Sequence, residues 1–85
     1  MSMKTIQENQ FFQTSEYPLA ASLICYGYAI ECLDRSNKDR VEFCFMRSKE
    51  VEKIIEEFWK GTLMVNAIAF HNALKLLKAR LRNDF

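Results

Sequence analysis

The sequence predicts a single α+β domain in the order β-α-β-β-α-α, a three-stranded sheet covered by helices. Three observations carry this expectation. An apolar run from Leu19 to Tyr26, broken only by Ser22, lies between Pro18 and Gly27. Two segments that alternate with period two, Tyr28 to Asp34 and Arg40 to Met46, flank the turn formers Ser36-Asn37-Lys38-Asp39. Two later segments place apolar residues at i, i+3, i+4 and i+7, the spacing of a helix with one buried face.

Length bounds the organisation. At 85 residues and 49% hydrophobic content there is room for one core, which buries about 60% of the unfolded surface. A core this small is marginal, so association with a second copy or a partner is a natural supplement. The expected division is a flexible lead-in over residues 1–10 and one domain over residues 11–85. The lead-in is polar and lacks the basic start, apolar run and small-residue cleavage site of a secretory signal.

Phe11 and Phe12 follow as a short strand against the hairpin. Thr14, Ser15 and Pro18 then mark a helix start near Glu16, since a hydroxyl satisfies free N–H groups and proline is tolerated in the first turn. The helix has almost no polar face, which predicts burial on several sides, and Gly27 stops it. It is too short to span a bilayer, which needs about 20 apolar residues.

In the hairpin, a turn that sets Arg35 opposite Arg40 pairs Cys32 with Phe43 and Ile30 with Phe45. Tyr28, Ile30, Cys32, Val41, Phe43 and Phe45 then share the buried face, and Glu31, Leu33, Glu42, Cys44 and Met46 share the other. This register puts Cys32 and Cys44 on opposite faces and predicts that they are not bridged.

Ser48 is placed to cap a second helix whose inner stripe is Val51, Ile54, Ile55 and Phe58 and whose stop is Gly61. Its mixed charges are those of a solvated face. Trp59 stands one step off the stripe, where it either roofs the core or anchors a partner. Thr62 to Val65 form an extended link, and Asn66 caps a third helix that runs to about Arg82. There Phe70, Ala73, Leu74, Leu77 and Leu81 face inward, while His71, Lys75, Lys78 and Arg82 recur at i, i+4, i+7 and i+11 in one narrow row.

Phe12-Gln13-Thr14-Ser15-Glu16, Leu19-Ala20-Ala21, Leu23 and Gly27, a hairpin with an aromatic second strand, Trp59-Lys60-Gly61 and a closing Phe70…Ala73…Leu77-Lys78 helix together resemble an uncharacterised bacterial and phage domain family. The resemblance runs from Phe11 to Arg82. It implies a small intracellular protein, often of mobile-element or phage origin, with no assigned activity.

Composition and motifs order the functional classes. Catalysis needs a base, a nucleophile and an orienting group brought together; the chain has one histidine, no glycine-rich phosphate loop and no paired-carboxylate motif, so the expectation is a protein that is not an enzyme. Three cysteines without C-x-x-C spacing fit a reducing cytoplasm better than a disulfide scaffold. No metal, cofactor, small-molecule substrate or membrane is expected. The expected function is protein interaction, as a homodimer or with a protein partner, through Trp59, His71, Lys75, Lys78 and Arg82. The alternative is a nucleic-acid-binding accessory protein whose basic row follows a phosphate backbone, helped by Arg35, Lys38 and Arg40 at the hairpin tip. The net charge of +1 argues against a strongly electrostatic partner. The same row also matches a solvated face with cations near a helix C-terminus, where the macrodipole favours them.

Overall fold

The computed structural model describes residues 10–83. The elements are β1 (Phe11–Thr14), α1 (Tyr17–Cys25), β2 (Cys32–Asp34), β3 (Glu42–Met46), α2 (Lys49–Lys60) and α3 (Ala67–Asn83). The sheet is antiparallel throughout, in the order β1-β3-β2. This is the expected order and sheet. Most of the expected lead-in lies outside the described residues, but Gln10 already joins the sheet, its carbonyl accepting the Arg47 N–H at 2.7 Å.

The central strand β3 carries the core. Phe43 and Phe45 are fully buried against Ala20, Ala21 and Leu23 of α1, Val51 and Ile54 of α2, and Ala73 and Leu77 of α3. Tyr17 meets Phe43 edge to face, with ring centroids 5.6 Å apart. The helix α1 lies in the middle and packs chiefly on α3, with a smaller contact to α2, which is why so little of its circumference is polar. Its one buried hydroxyl, on Ser22, donates to the Pro18 carbonyl at 2.8 Å and so remains satisfied without leaving the helix.

Helix ends follow the residue chemistry at most positions. The Ser48 hydroxyl accepts the Val51 N–H, and the Asn66 amide oxygen accepts the Ala69 N–H. Gly27 and Gly61 have φ of +94° and +79°, and each closes its helix with the same pair of bonds: Gly27 N–H to Ile24 and Tyr28 N–H to Leu23, then Gly61 N–H to Phe58 and Thr62 N–H to Glu57. The start of α1 differs from expectation. Glu16 occupies the cap without a side-chain bond, and the Thr14 hydroxyl accepts the Glu16 N–H, fixing the strand-to-helix corner instead of the first turn.

The hairpin register is one residue away from the expected one. Cys32 pairs with Cys44, Leu33 with Phe43 and Asp34 with Glu42. Leu33 therefore shares the core face with Phe43, and Cys32 and Cys44 share the opposite face, where both remain free thiols. The cause lies between two apolar residues of odd spacing: Ile30 and Leu33 both pack on the core, which strict alternation forbids. The chain resolves this at Glu31, whose N–H donates to the Cys44 carbonyl at 2.7 Å, so that Glu31 and Cys32 together oppose Cys44 in the manner of a bulge. Regular pairing in β2 is correspondingly short. The turn is also longer than expected; Asp34 accepts from the Ser36 N–H and hydroxyl, and Asn37 accepts from the Asp39 N–H.

Candidate functional site

The exposed side of α3 is the most distinctive surface. Its inner stripe is held by Ala73 and Leu77, both buried, with Phe70, Leu74 and Leu81 half-buried beside them. His71, Lys75, Lys78 and Arg82 are all exposed, as the helical spacing requires. The four lie within roughly 60° of the helix circumference. None of them makes a hydrogen bond or an ion pair among the described residues, and α3 contains no acidic residue.

Beside that row lies a strip that the sequence reading missed. Ile68, Asn72, Leu76 and Ala79 recur at i, i+4, i+8 and i+11 and occupy roughly 80° of arc beside the row, winding from the outer side of α3 at Ile68 to the α1 side at Leu76. Ile68 is 73% exposed and Leu76 45% exposed. Leu76 borders two shallow grooves against α1 and the segment after it, one lined by Ile24, Cys25 and Ala69, the other by Ile24, Tyr28, Ile30 and Arg80. In the link before the helix Met64 is also exposed, at 80%. The Tyr26 hydroxyl donates to the Met64 carbonyl at 2.5 Å, tying this link to the end of α1. A sign of the strip was present in the sequence: Ile68 and Leu76 fit neither the inner stripe nor the charged row, and two large aliphatic residues had no assigned place.

The other expected residues are spread over the surface. Trp59 is 63% exposed at the end of α2, edge to face with Phe58 at 5.0 Å between centroids. It does not roof the core. It also belongs to a different helix from the basic row, and α2 and α3 each lean on α1 more than on one another. At the hairpin tip Lys38 is exposed, whereas the two arginines are engaged within the chain. Arg35 donates to the Leu81 carbonyl at 3.2 Å, near the negative end of the α3 dipole, and Arg40 donates to the Ser15 hydroxyl at 3.2 Å. Both tie the tip to the helices. The Arg35 contact also brings the tip against the end of α3 that carries Arg82.

The outer face of the sheet offers little reactive chemistry. Cys44 is fully buried and accepts a hydrogen bond from the Gln13 amide at 3.4 Å. Burial, with Cys32 next to it, pushes its thiol up to about 12, so it is not a thiolate nucleophile near neutrality. Burial also raises the Cys25 thiol. Among the described residues no group of His, Cys, Asp and Glu is arranged to hold a metal ion, and no helix is long and apolar enough to cross a membrane.

Comparison with known proteins bears on family alone. Residues 9–83 match the model of a domain of unknown function, DUF5659. No curated protein and no solved structure matches the chain.

Proposed function

The chain belongs to the DUF5659 family, and from that premise we propose that it is a small non-enzymatic interaction module that works in the cytoplasm by covering part of a protein surface. The observation that carries this reading is Leu76, 45% exposed and lining the grooves against α1, with Ile68, 73% exposed, two turns away on the same helix. Single exposed apolar residues are ordinary on any protein, but a strip of them beside open grooves is the usual mark of a binding surface. The partner is another protein or a second copy of the chain. If the chain comes from a phage or mobile element, inhibition or recruitment of a host protein is the form such an activity takes. Native mass spectrometry together with capture of proteins from the natural host tests it, with Leu76→Ser as the control. Loss of a captured protein, or of a dimer, in the Leu76→Ser variant is expected; a strictly monomeric chain that captures nothing removes the proposal.

A second reading is favoured by one observation, the contact of the hairpin tip with the end of α3 that carries Arg82, whose row makes no ion pair among the described residues. It makes the chain a nucleic-acid-binding accessory protein that follows phosphates. A gel shift with random duplex and single strand decides it, because phosphate contacts are strongest at low salt. No shift there ends this reading.

A further inference from the structure

The exposed face of α3 holds more than an apolar strip, and the way its charges are placed constrains what can cover it. Lys75, Lys78 and Arg82 run along one border of the strip, and the opposite border is formed by Ile24, Cys25 and Tyr28 with Arg80 beside them. Leu76 and Ala79 also share a shallow groove with Lys75, Lys78 and Arg82. Any occupant of the strip therefore has three cations on one flank and Arg80 on the other, and α3 supplies no acid to neutralise them. A second copy docked through the same face would bring two cationic rows to one interface, where like charges are costly. An acidic occupant removes that penalty.

The shape of the strip narrows the occupant further. It follows the i, i+4, i+8 ridge of α3, inclined by about 25° to the helix axis, and is small in the middle, with Ala69 and Asn72 between the larger Ile68 and Leu76. Small residues flanked by large ones allow a second helix to lie close along the first. We propose that this face binds an acidic amphipathic helix of a partner protein, its apolar stripe laid along Ile68 and Leu76 and its Asp/Glu flank turned towards Lys75, Lys78 and Arg82. This is the helix-in-groove mode of recognition, read by anchors one turn apart. The inference rests on the interaction-module reading and names the partner's chemistry.

The test uses the full chain and fluorescein-labelled helical peptides as long as α3. All carry Leu at i, i+3, i+4 and i+7; the remaining positions are Glu in one peptide, Gln in the second and Lys in the third, and a fourth scrambles the Glu peptide. Fluorescence anisotropy at low salt is expected to rank them Glu, then Gln, then Lys, with the scrambled peptide at least tenfold weaker than its parent. Leu76→Ser should weaken the Glu peptide about tenfold, and the Lys75→Glu/Lys78→Glu variant should reverse the preference between the Glu and Lys peptides while the circular dichroism spectrum stays unchanged. Equal binding of the Gln and Glu peptides, both sensitive to Leu76→Ser, overturns the acidic partner but leaves the interaction module standing. A dimer in native mass spectra with no peptide bound has the same meaning. Binding of the scrambled peptide as tightly as its parent, or of a random DNA duplex more tightly than the Glu peptide, overturns the helical occupant altogether.

Discussion

Replacing Phe43 with Ala tests the architecture at its centre. The ring is fully buried in the middle strand, is flanked across the sheet by Thr14 and Leu33, and stands edge to face with Tyr17. A Phe-to-Ala change in a core costs about 3–5 kcal/mol, of which about 0.5–1.5 kcal/mol belongs to an aromatic pair of this geometry. A domain of this length has a total stability of roughly 4–13 kcal/mol, so the loss takes a large share of it. Urea unfolding followed by far-ultraviolet circular dichroism should show a strongly lowered midpoint with an unchanged slope, or a chain already unfolded in buffer. Phe43→Leu keeps the experiment informative if the alanine variant does not fold, because it removes the ring pair at a cost of about 1–2 kcal/mol. The register is tested in the same series: Leu33→Ala should cost more than Cys32→Ala, since Leu33 shares the core face and Cys32 is exposed. A Phe43→Ala loss well under 1 kcal/mol, or the reverse order at positions 32 and 33, would refute the packing described here.

Four further outcomes are expected. Gly61→Ala meets no atom within 4 Å of the added carbon, yet its φ of +79° should make the variant about 1 kcal/mol less stable by urea unfolding. Alkylation with iodoacetamide at neutral pH should modify Cys32 readily and leave Cys44 untouched until the chain unfolds. Because the folded Cys44 thiol lies near 12 against an ordinary value near 9, its burial contributes stability that is complete below about pH 9 and is lost as pH rises towards 12; Cys44→Val should flatten that loss relative to the parent. Finally, Lys75→Glu with Lys78→Glu should change stability by less than about 1 kcal/mol, since both side chains are exposed and make no ion pair among the described residues, and a larger loss in thermal unfolding would mean that the row has a structural task.

The elements legible in the sequence are those governed by local chemistry. Ser48 and Asn66 cap helices, Gly27 and Gly61 end them, and the spacings of Val51, Ile54, Ala73 and Leu77 assign their inner faces, because each depends on residues only a few positions away. The hairpin register was not legible for the converse reason. It is set by a competition between Ile30 and Leu33 for a core whose other walls come from distant helices, and alternation alone cannot reveal that the chain slips at Glu31 to accommodate both. The site divides in the same way. The row of His71, Lys75, Lys78 and Arg82 follows from helical geometry, whereas the exposure of Ile68 and Leu76 depends on where α1 ends and how it leans on α3.

The two C-terminal helices make a useful internal comparison for the proposed surface. On α2 the exposed positions alternate in sign, as in the Lys60–Glu56 pair at 3.3 Å and the Arg47–Glu52 pair at its start. Its large apolar residues face inward except Trp59 at the last turn. That is how a helix is composed when its outer side has only to be wet. α3 is built otherwise: Lys75, Lys78 and Arg82 are gathered on one side with no acid in the helix between them, and next to them two aliphatic side chains stay in water although the inner stripe already anchors the helix. Neither feature helps this helix hold the fold, since like charges one turn apart repel and exposed aliphatics lose the free energy that burial would release. Covering the strip with an acidic helix relieves both costs at once, whereas a phosphate backbone would relieve only the first and a second copy of the same face only the second.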